Sequence, residues 1–543
     1  SIGQDTADGS FDGMASWAEK WENQRLWTGV ERSRLLELHA RRLMEQAAPG
    51  VVRKAEILLN ASFEERLRSL SSTHFGMAAP VMNWARLRTA ADTVRQSVEK
   101  SSAALERLIA GRKIRAGELH LLDFTRGVDS GPVRYGKQAS RALFRVAVKR
   151  GVRVQRTFSL VDSSGRAVPS ALLADGENEE LCFVADIKAG AGKSYRLETD
   201  RKGKKMTRVK NPVRADKGVL ANEHITLSLN SDGSLTGLSL HGEPFLGDGA
   251  IRTGITYAKK RMHLRTWEKL DQEVAGNGLI GVARMYGEMG FGIGETHRLR
   301  VDRELLLAAG MPYLYVTQTV HYPRTPFHGY NPGRAERLQR KWDTRWNEVW
   351  PLELEPIFRG NPGNGLRVWK HNYMGHMSSY ELDYGRFSKN RELDSCNNHI
   401  TNGWVAVSNG THGLLVAQTA DVLCSLAFCP LRTRREGDGL RVMMNPFGSY
   451  TGRQYRYPGT YTGLGWMVAV RFSASDHIAP YAPSFNGKTQ RFRLMIAPYR
   501  GDAPPENIRA DALAFAYPYL AIGDGRMFAN PENRTWTTEN DEQ

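Results

Sequence analysis

The chain has 543 residues, of which 41% are hydrophobic and 24% are charged. This composition excludes a disordered chain, and the length exceeds that of one ordinary core, so about two to four domains are expected. No apolar run reaches the ~18 residues that a membrane helix requires. The formal net charge of +17 would favour polyanions, but no nucleic-acid-binding motif accompanies it. We therefore expect no membrane span and no nucleic-acid partner, and we interpret the basic excess as a solvated surface.

Helical periodicity dominates the first region, up to about residue 111. Trp17 and Trp21 are four residues apart, and Pro49-Gly50 interrupts the pattern before a second helix over 55–70. A third helix fits 80–111, and its apolar face consists of Trp84, Leu87, Ala91, Val94, Val98, Leu105 and Leu108. Three amphipathic helices with short connections predict an antiparallel bundle, in which the tryptophans are core residues.

Strand periodicity replaces helical periodicity after residue 112. Alternating apolar and polar residues over 142–148, 152–158 and 313–321 predict strands that end at Gly, Asp or Pro. Turn residues between apolar runs predict hairpins over 225–240 and 404–418. Strands at short intervals, without intervening helical patterns, indicate antiparallel sandwiches rather than βαβ units.

Two glycine-rich stretches resemble phosphate-binding loops only superficially. Residues 189–194 (Ala-Gly-Ala-Gly-Lys-Ser) lack the first glycine of a P-loop and lead into a strand pattern, whereas a phosphate site needs a helix N-terminus. Residues 290–294 have the wrong spacing for a dinucleotide fingerprint. Both stretches are predicted to be turns.

The four cysteines and three glycosylation sequons leave the cellular compartment open. The cysteines are too few and too scattered for a disulfide scaffold. The sequons, at Asn60, Asn409 and Asn533, have meaning only in a pathway that glycosylates proteins. We expect a secreted, periplasmic or lysosome-like compartment rather than the cytoplasm.

Three ordered segments carry a resemblance to a known family. They are Val161-Asp-Ser-Ser-Gly-Arg-Ala-Val-Pro169, the strand and small-residue turn over 181–197, and Val219-Leu-Ala-Asn-Glu-His-Ile225. With the later stretches 381–387, 402–404 and 413–416, they resemble the β-rich C-terminal half of glycoside hydrolase family 38, the α-mannosidases. The resemblance implies an α+β fold, with an N-terminal three-helix bundle followed by antiparallel β-sandwiches of the galactose-mutarotase-like type. It implies domains over 1–115, 116–215 and 216–543.

The resemblance also implies a zinc ligand and a general acid. In the family, a histidine in an inter-helix turn of the bundle binds zinc, and the matching residue here is His74, between Thr73 and Phe75, which both depart from the family motif. The segment before the bundle resembles the tail of the catalytic domain, where Asp8 is the candidate general acid. Alternatively, Asp8 is a helix N-cap or a solvated loop acid. The nucleophile and the other zinc ligands belong to an N-terminal domain that this sequence does not contain.

A polar, aromatic loop region is the candidate sugar-binding surface. Trp342 and Trp346 would stack on sugar rings, and Arg337 would suit an acidic sugar. The alternative is that tryptophans four residues apart form one packed face of a short helix.

We therefore interpret the chain as the C-terminal portion of an α-mannosidase-like hydrolase that acts on glycans. It would be active only with an N-terminal zinc and nucleophile domain, because a retaining glycosidase needs two carboxyl groups. A non-catalytic carbohydrate-binding or scaffold protein is the alternative. A polysaccharide lyase with His371, Asn372 and Tyr373 in a cleft is a third hypothesis. An oligomer is compatible with each of them.

Overall fold

The fold is seen in a computed structural model of the whole chain. It describes residues 21–69, 80–123, 139–149, 158–175, 178–188, 190–199, 207–257, 260–291, 293–295, 297–321, 348–359, 366–371, 377–382, 404–419, 427–436, 439–445, 470–471 and 489–528.

The N-terminal region is a bundle of three helices, as predicted. They are α1 (Trp21–Met44), α2 (Pro49–Ser69) and α3 (Pro80–Ala110). Pro49, predicted to interrupt a helix, is instead the first residue of α2, six residues before the predicted start. Proline is favoured there because the first turn of a helix has no acceptor for its N–H groups. The predicted face of α3 is buried at Ala91, Val94, Leu105 and Leu108.

A buried polar cluster ties the three helices together. The hydroxyl of Ser33 on α1 lies 2.6 Å from that of Ser97 on α3, and Ser62 on α2 donates to the Ser97 carbonyl at 2.7 Å. Arg66 of α2 donates to Ser33 at 3.1 Å and to the Glu37 carboxylate at 2.6 Å. Because small serines allow close helix approach, this cluster fixes the helix register. The Ser62 hydroxyl of the Asn60 sequon is fully buried.

The first sandwich follows the bundle and consists of two small antiparallel sheets. Its strands are β1 (Glu118–Leu122), β2 (Ala139–Ala147), β3 (Phe158–Asp162), β4 (Ala167–Val168), β5 (Ser170–Asp175), β6 (Asn178–Lys188) and β7 (Gly192–Thr199). One sheet has the order β2-β6-β5. Alternate residues of both sheets, such as Leu119, Phe144, Leu160 and Phe183, form a shared core. Of the stretch 189–194, which is predicted to be a turn, residues 192–194 belong to strand β7, so the stretch leads into a strand and not into a helix.

The second sandwich contains most of the remaining strands. They are β8 (Arg214–Asp216), β9 (Val219–Ala221), β10 (Ile225–Leu229), β11 (Leu235–Leu240), β12 (Glu243–Tyr257), β13 (Lys260–His263), β14 (Trp267–Ala275), β15 (Ile280–Phe291), β16 (His297–Ala308), β17 (Leu314–His321), β18 (Glu348–Arg359), β19 (Leu366–His371), β20 (Met377–Leu382), β21 (Trp404–Ser408), β22 (His412–Gln418), β23 (Ala427–Glu436), β24 (Gly439–Asn445), β25 (Val470–Arg471) and β26 (Thr489–Arg500).

Two large sheets make up this second sandwich. The ten-stranded sheet runs β23-β24-β18-β12-β11-β10-β9-β8, with β13 paired to β12 and β25 to β18. The nine-stranded sheet runs β14-β15-β16-β17-β26-β22-β21-β19-β20. Leu227 and Leu354 of the first sheet and Leu305 and Val416 of the second belong to one continuous hydrophobic core. The predicted hairpins are β10–β11 and β21–β22.

The C-terminal part of the described chain returns to the first sandwich. Helix α4 (Glu506–Ala516) precedes strand β27 (Leu520–Gly523). Strand β27 pairs with β1 and completes a sheet of order β27-β1-β7-β3-β4. Leu520 and Ile522 on one face of β27 pack against the helical bundle. The first sandwich therefore contains β27, a strand from residues 520–523. The predicted domain boundaries, 116–215 and 216–543, place this strand in the other sandwich.

The predicted fold class is confirmed. The protein is α+β, with an N-terminal helical bundle followed by antiparallel sandwiches. Within the described ranges, no helix combines the length and apolar character needed to cross a bilayer.

Candidate functional site

The sequence-predicted site residues lie outside the described part of the chain. These residues are Asp8, His74, Arg337, Trp342 and Trp346. Their assigned roles stay predictions. Within the described ranges, no three His, Cys, Asp or Glu side chains cluster as a metal site.

His371 is a core residue and does not face a cleft. It is the last residue of β19, its side chain is 1% exposed, and its ring lies 6.3 Å from that of Trp404. Burial, with the nearby charge of Arg34, lowers the pKa of His371 to about 4. A buried neutral imidazole does not reach a polysaccharide, which weighs against the lyase hypothesis. Asn372 and Tyr373 lie outside the described residues.

The two sandwiches meet at a network of buried ion pairs. On the outer face of the nine-stranded sheet, the register aligns Arg284, Glu304, Thr317 and Arg493 in one row across four strands. Arg145 of β2 reaches this row and donates to Glu304 at 2.8 Å. It also donates to Glu180 of β6, within the first sandwich.

Glu180 of β6 is the acid at the centre of this ion-pair network. It accepts hydrogen bonds from Arg145 at 2.5 Å and from Arg493 at 2.9 Å. Burial alone would raise the pKa of Glu180, but the guanidinium groups of Arg145 and Arg493 outweigh it and hold the pKa well below its usual value. The carboxylate is therefore charged at neutral pH and binds one arginine from each sandwich.

A cavity lies where the bundle, both sandwiches and the C-terminal segment meet. This junction cavity has a volume of about 230 Å³. Helix α1 contributes Arg32, Leu35, Leu36 and His39, strand β2 contributes 141–145, and β17 and β26 contribute 315–317 and 491–494. Asp511, Ala514 and Phe515 of α4 and Pro518, Tyr519 and Ala521 complete the wall with Thr419. The junction cavity thus takes lining residues from the bundle, the first sandwich, the nine-stranded sheet and the C-terminal segment.

Asp511 is the carboxylate of the junction cavity. It accepts hydrogen bonds from the backbone N–H of Arg141 at 2.7 Å and from the Tyr313 hydroxyl at 2.6 Å. Burial raises the pKa of Asp511 to about 6. Both oxygens are engaged by the protein, so Asp511 joins α4 to β2 and to the second sandwich.

Arginines and aromatic rings belong to the wall of the junction cavity. Among the described residues, the arginines that line it are Arg32, Arg141, Arg145, Arg491 and Arg493. The rings of Tyr315 and Phe515 lie 5.8 Å apart, and those of Phe144 and Tyr519 lie 5.5 Å apart. Arginine forks bind oxyanions, and flat rings pack against apolar faces of a ligand. This combination suits a small anion that has an apolar face.

A second, open groove lies at the linker between the sandwiches. It has a volume of about 960 Å³, and its lining includes Arg208, Lys210, Arg214 and Glu223. No aromatic side chain belongs to the lining that the described residues provide. Because single-stranded nucleic acid is usually held by stacking on aromatic rings, this groove gives no support to a nucleic-acid partner.

Sequence reasoning missed the junction cavity. Its arginines come from segments that are far apart in sequence, and each has the ordinary pattern of a polar residue on a strand or helix. A weak signal exists in β26, where Arg491 and Arg493 alternate with the buried residues Phe492 and Leu494. That alternation identifies one charged face of the strand but not the elements that cover it.

Comparison with known proteins gives a match at the level of fold. No protein-family profile matches the sequence, and no curated protein matches it. A solved protein of glycosyl hydrolase family 38 from Enterococcus faecalis aligns over 95% of this chain and 61% of its own, with a TM-score of 0.53 and 10% identity. An alpha-mannosidase from Enterococcus faecalis V583 aligns over 96% of this chain and 60% of its own, with a TM-score of 0.52 and 10% identity.

These two alignments have a defined extent. At 10% identity they show a shared fold, which covers the bundle and both sandwiches. The chain spans about 60% of the length of these two proteins. The alignments thus support the resemblance to family 38 at the level of the fold. A shared fold does not by itself establish a shared activity.

Proposed function

We propose that the chain is the C-terminal portion of an α-mannosidase-like glycoside hydrolase that acts on glycans. The observation that supports this most directly is the fold match over 95% of the chain to a family 38 protein. The alignment spans nearly the whole of this chain, and not one common module alone. An independent resemblance, in the residue segments quoted above, points to the same family.

We propose further that catalysis requires an N-terminal domain. A retaining glycosidase needs a nucleophile and an acid/base carboxyl about 5 Å apart. Asp8 is the proposed general acid, and His74 is the proposed contribution of this chain to a zinc site. His74 lies in the connection between α2 and α3, and a neutral imidazole is a common zinc ligand. The bundle would thus supply one ligand to a site that the N-terminal domain completes.

Hydrolysis of an aryl α-mannoside tests this proposal. The chain is assayed alone and together with the protein segment encoded upstream of Ser1, with and without a chelator. We expect activity only with the upstream segment, and loss of activity in the chelator and in His74→Ala. The control is His321→Ala, whose side chain is 43% exposed on the outer face of the second sandwich, and which should stay active.

Two outcomes would contradict the proposal. Unchanged activity of His74→Ala with the upstream segment would remove the zinc role of this residue. Glycan binding without any hydrolysis, with the upstream segment present, would favour the alternative of a carbohydrate-binding scaffold.

A further inference from the structure

We propose that the open groove at the linker between the sandwiches binds a segment of an acidic glycan, that is, an oligosaccharide with carboxylate or sulfate groups. Of the described residues, 208–212, 214, 221–223 and 277 line this linker groove. The inference concerns a site distinct from the predicted residues Asp8 and His74. It rests on the proposed function only in the choice of a glycan over other polyanions.

The linker groove carries positive charge that no acid of the described chain neutralises by an ion pair. Arg208, Lys210 and Arg214 are exposed, and none of them forms an ion pair or a side-chain hydrogen bond with another described residue. Glu223 is the acid of the described lining, which therefore carries three cations and one anion. Arginine and lysine stay protonated at neutral pH, so this part of the groove attracts anions.

Buried valines anchor the backbone that carries these cations. Val209 and Val213 are 6% and 3% exposed and belong to the core of the second sandwich. The N–H of Val213 donates to the carbonyl of Gly278 at 2.8 Å and so ties the linker to the turn between β14 and β15. Because the backbone is held on both sides of Lys210, binding of a ligand has to order side chains only, which lowers its entropic cost.

Two asparagine side chains add neutral hydrogen-bonding groups to the linker groove. Asn211 and Asn277 are exposed, and both have a φ of 54°, in the left-handed region. Neither amide has a hydrogen-bond partner among the described residues. An amide offers two N–H donors and a carbonyl acceptor, which match the hydroxyl groups of a sugar. Glycine would adopt the same backbone conformation with less strain, so the backbone does not require an amide at either position.

The volume and the chemistry of the lining favour an oligosaccharide over a small ion or a nucleic acid. About 960 Å³ corresponds to roughly thirty water molecules at ~30 Å³ each, which is room for more than one sugar ring. Single-stranded nucleic acid is usually held by aromatic stacking, and the lining that the described residues provide has no aromatic ring. Cations that bind oxyanions, beside amides that bind hydroxyl groups, suit an acidic glycan.

Calorimetric titration of the full chain tests the assignment. The probes are a galacturonate hexasaccharide, a heparin-derived sulfated hexasaccharide, neutral mannohexaose and single-stranded oligo(dT). We expect one or both acidic hexasaccharides to bind, and mannohexaose and oligo(dT) to bind at least about tenfold more weakly. The affinity for the acidic probe should fall as the salt concentration rises, because salt screens exposed charges. The two acidic probes distinguish a carboxylate ligand from a sulfate ligand.

Charge-removing variants locate the binding. Arg208→Gln and Arg214→Gln should each weaken binding of the acidic hexasaccharide by about five- to tenfold. Arg298→Gln on β16 is the matched control, because it removes the same charge at an exposed arginine that pairs with Glu288 outside the groove. Its affinity should equal that of the wild type. Circular dichroism checks that each variant is folded.

Amide-removing variants separate glycan recognition from simple charge attraction. Asn211→Gly and Asn277→Gly keep the left-handed backbone and remove only the side chain. Each should weaken binding of the acidic hexasaccharide by about three- to tenfold, the effect of one lost hydrogen bond. If both variants bind as tightly as the wild type, the groove attracts polyanions by charge alone and the glycan assignment is wrong.

Four further results would overturn the assignment. They are absence of binding by both acidic hexasaccharides, equally tight binding of mannohexaose, equally tight binding of oligo(dT), and a loss in Arg298→Gln as large as that in the groove variants. None of these measurements involves hydrolysis of an α-mannoside, so this inference and the proposed function can fail separately.

Discussion

Glu180 joins the two sandwiches through a buried pair of ionic contacts. Its side chain is 7% exposed and bonds to Arg145 of the first sandwich and Arg493 of the second. In Glu180→Leu, the two guanidinium groups stay in a poorly solvated interface and lose the carboxylate that they share. Removal of one partner from a buried pair costs about 3–5 kcal/mol. We expect the free energy of unfolding to fall by about that amount at pH 7.

A second substitution tests the electrostatic reason for this loss. In Glu180→Leu/Arg493→Met, the cation of the second sandwich that Glu180 binds is also removed, while Arg145 keeps its bond to Glu304. We expect the double variant to be more stable than the sum of the single losses by about 1–3 kcal/mol. The matched control is Glu198→Leu on β7, whose ion pair with Arg196 is exposed to solvent and should contribute less than about 1 kcal/mol.

Urea titrations at several pH values measure these effects, with midpoint and slope fitted separately. The pKa of Glu180 is depressed in the folded state, so its contribution is present above its unfolded pKa, near 4.5, and is lost as the pH falls. The difference between wild type and Glu180→Leu should therefore shrink on acidification. Strictly additive single losses, or a loss for Glu180→Leu no larger than for the control, would refute the reasoning.

Three further predictions concern single residues. Burial raises the pKa of Asp511 from 3.8 to about 6, so the stability that its protonated form contributes is lost as the pH rises through 6. In Asp511→Asn, the free energy of unfolding should therefore fall less between pH 4 and 6, by up to about 3 kcal/mol, as measured by urea titration. The pKa of His371 is lowered from 6.5 to about 4, so the folded protein loses stability as the pH falls from 6.5 to 4. His371→Asn should reduce this loss. An unchanged dependence of stability on pH would contradict the prediction. A Cβ at Gly413 would overlap the buried ring of Tyr499, so Gly413→Ala should lower the free energy of unfolding by about 1–3 kcal/mol. The control is Gly50→Ala, where a Cβ meets open space; its unfolding temperature, measured by calorimetry, should not fall.

Local sequence signals predicted the elements whose partners are near in the chain. The hairpin β10–β11 follows from the turn Asn230-Ser-Asp-Gly233, in which Gly233 has a φ of 85°. The left-handed conformation there requires glycine, and the alternation on either side sets the register. The same reasoning predicted β21–β22 and the buried face of α3. Each of these inferences needs only about fifteen to thirty neighbouring residues.

Elements whose partners are distant in sequence were not predicted. Helix α4 lies in the region that the sequence predicts to contain strands, although Ile508, Ala512 and Ala516 recur at helical spacing and are buried. Strand β27 has four residues, and nothing in them specifies that its partner is β1. The junction cavity has the same origin, because its wall exists only after these distant segments have packed together. A single sequence holds the local patterns but not these pairings.

The pairing of β27 with β1 constrains when the protein can assemble during its synthesis. Leu119 pairs with Gly523, and a ribosome that adds ~5–20 residues per second needs roughly 20–80 s to cover the interval. The three helices have their partners early and can form while translation continues. Until β27 has been synthesised, that edge of β1 lacks its final neighbour, so the five-stranded sheet is completed only near the end of translation of the described chain.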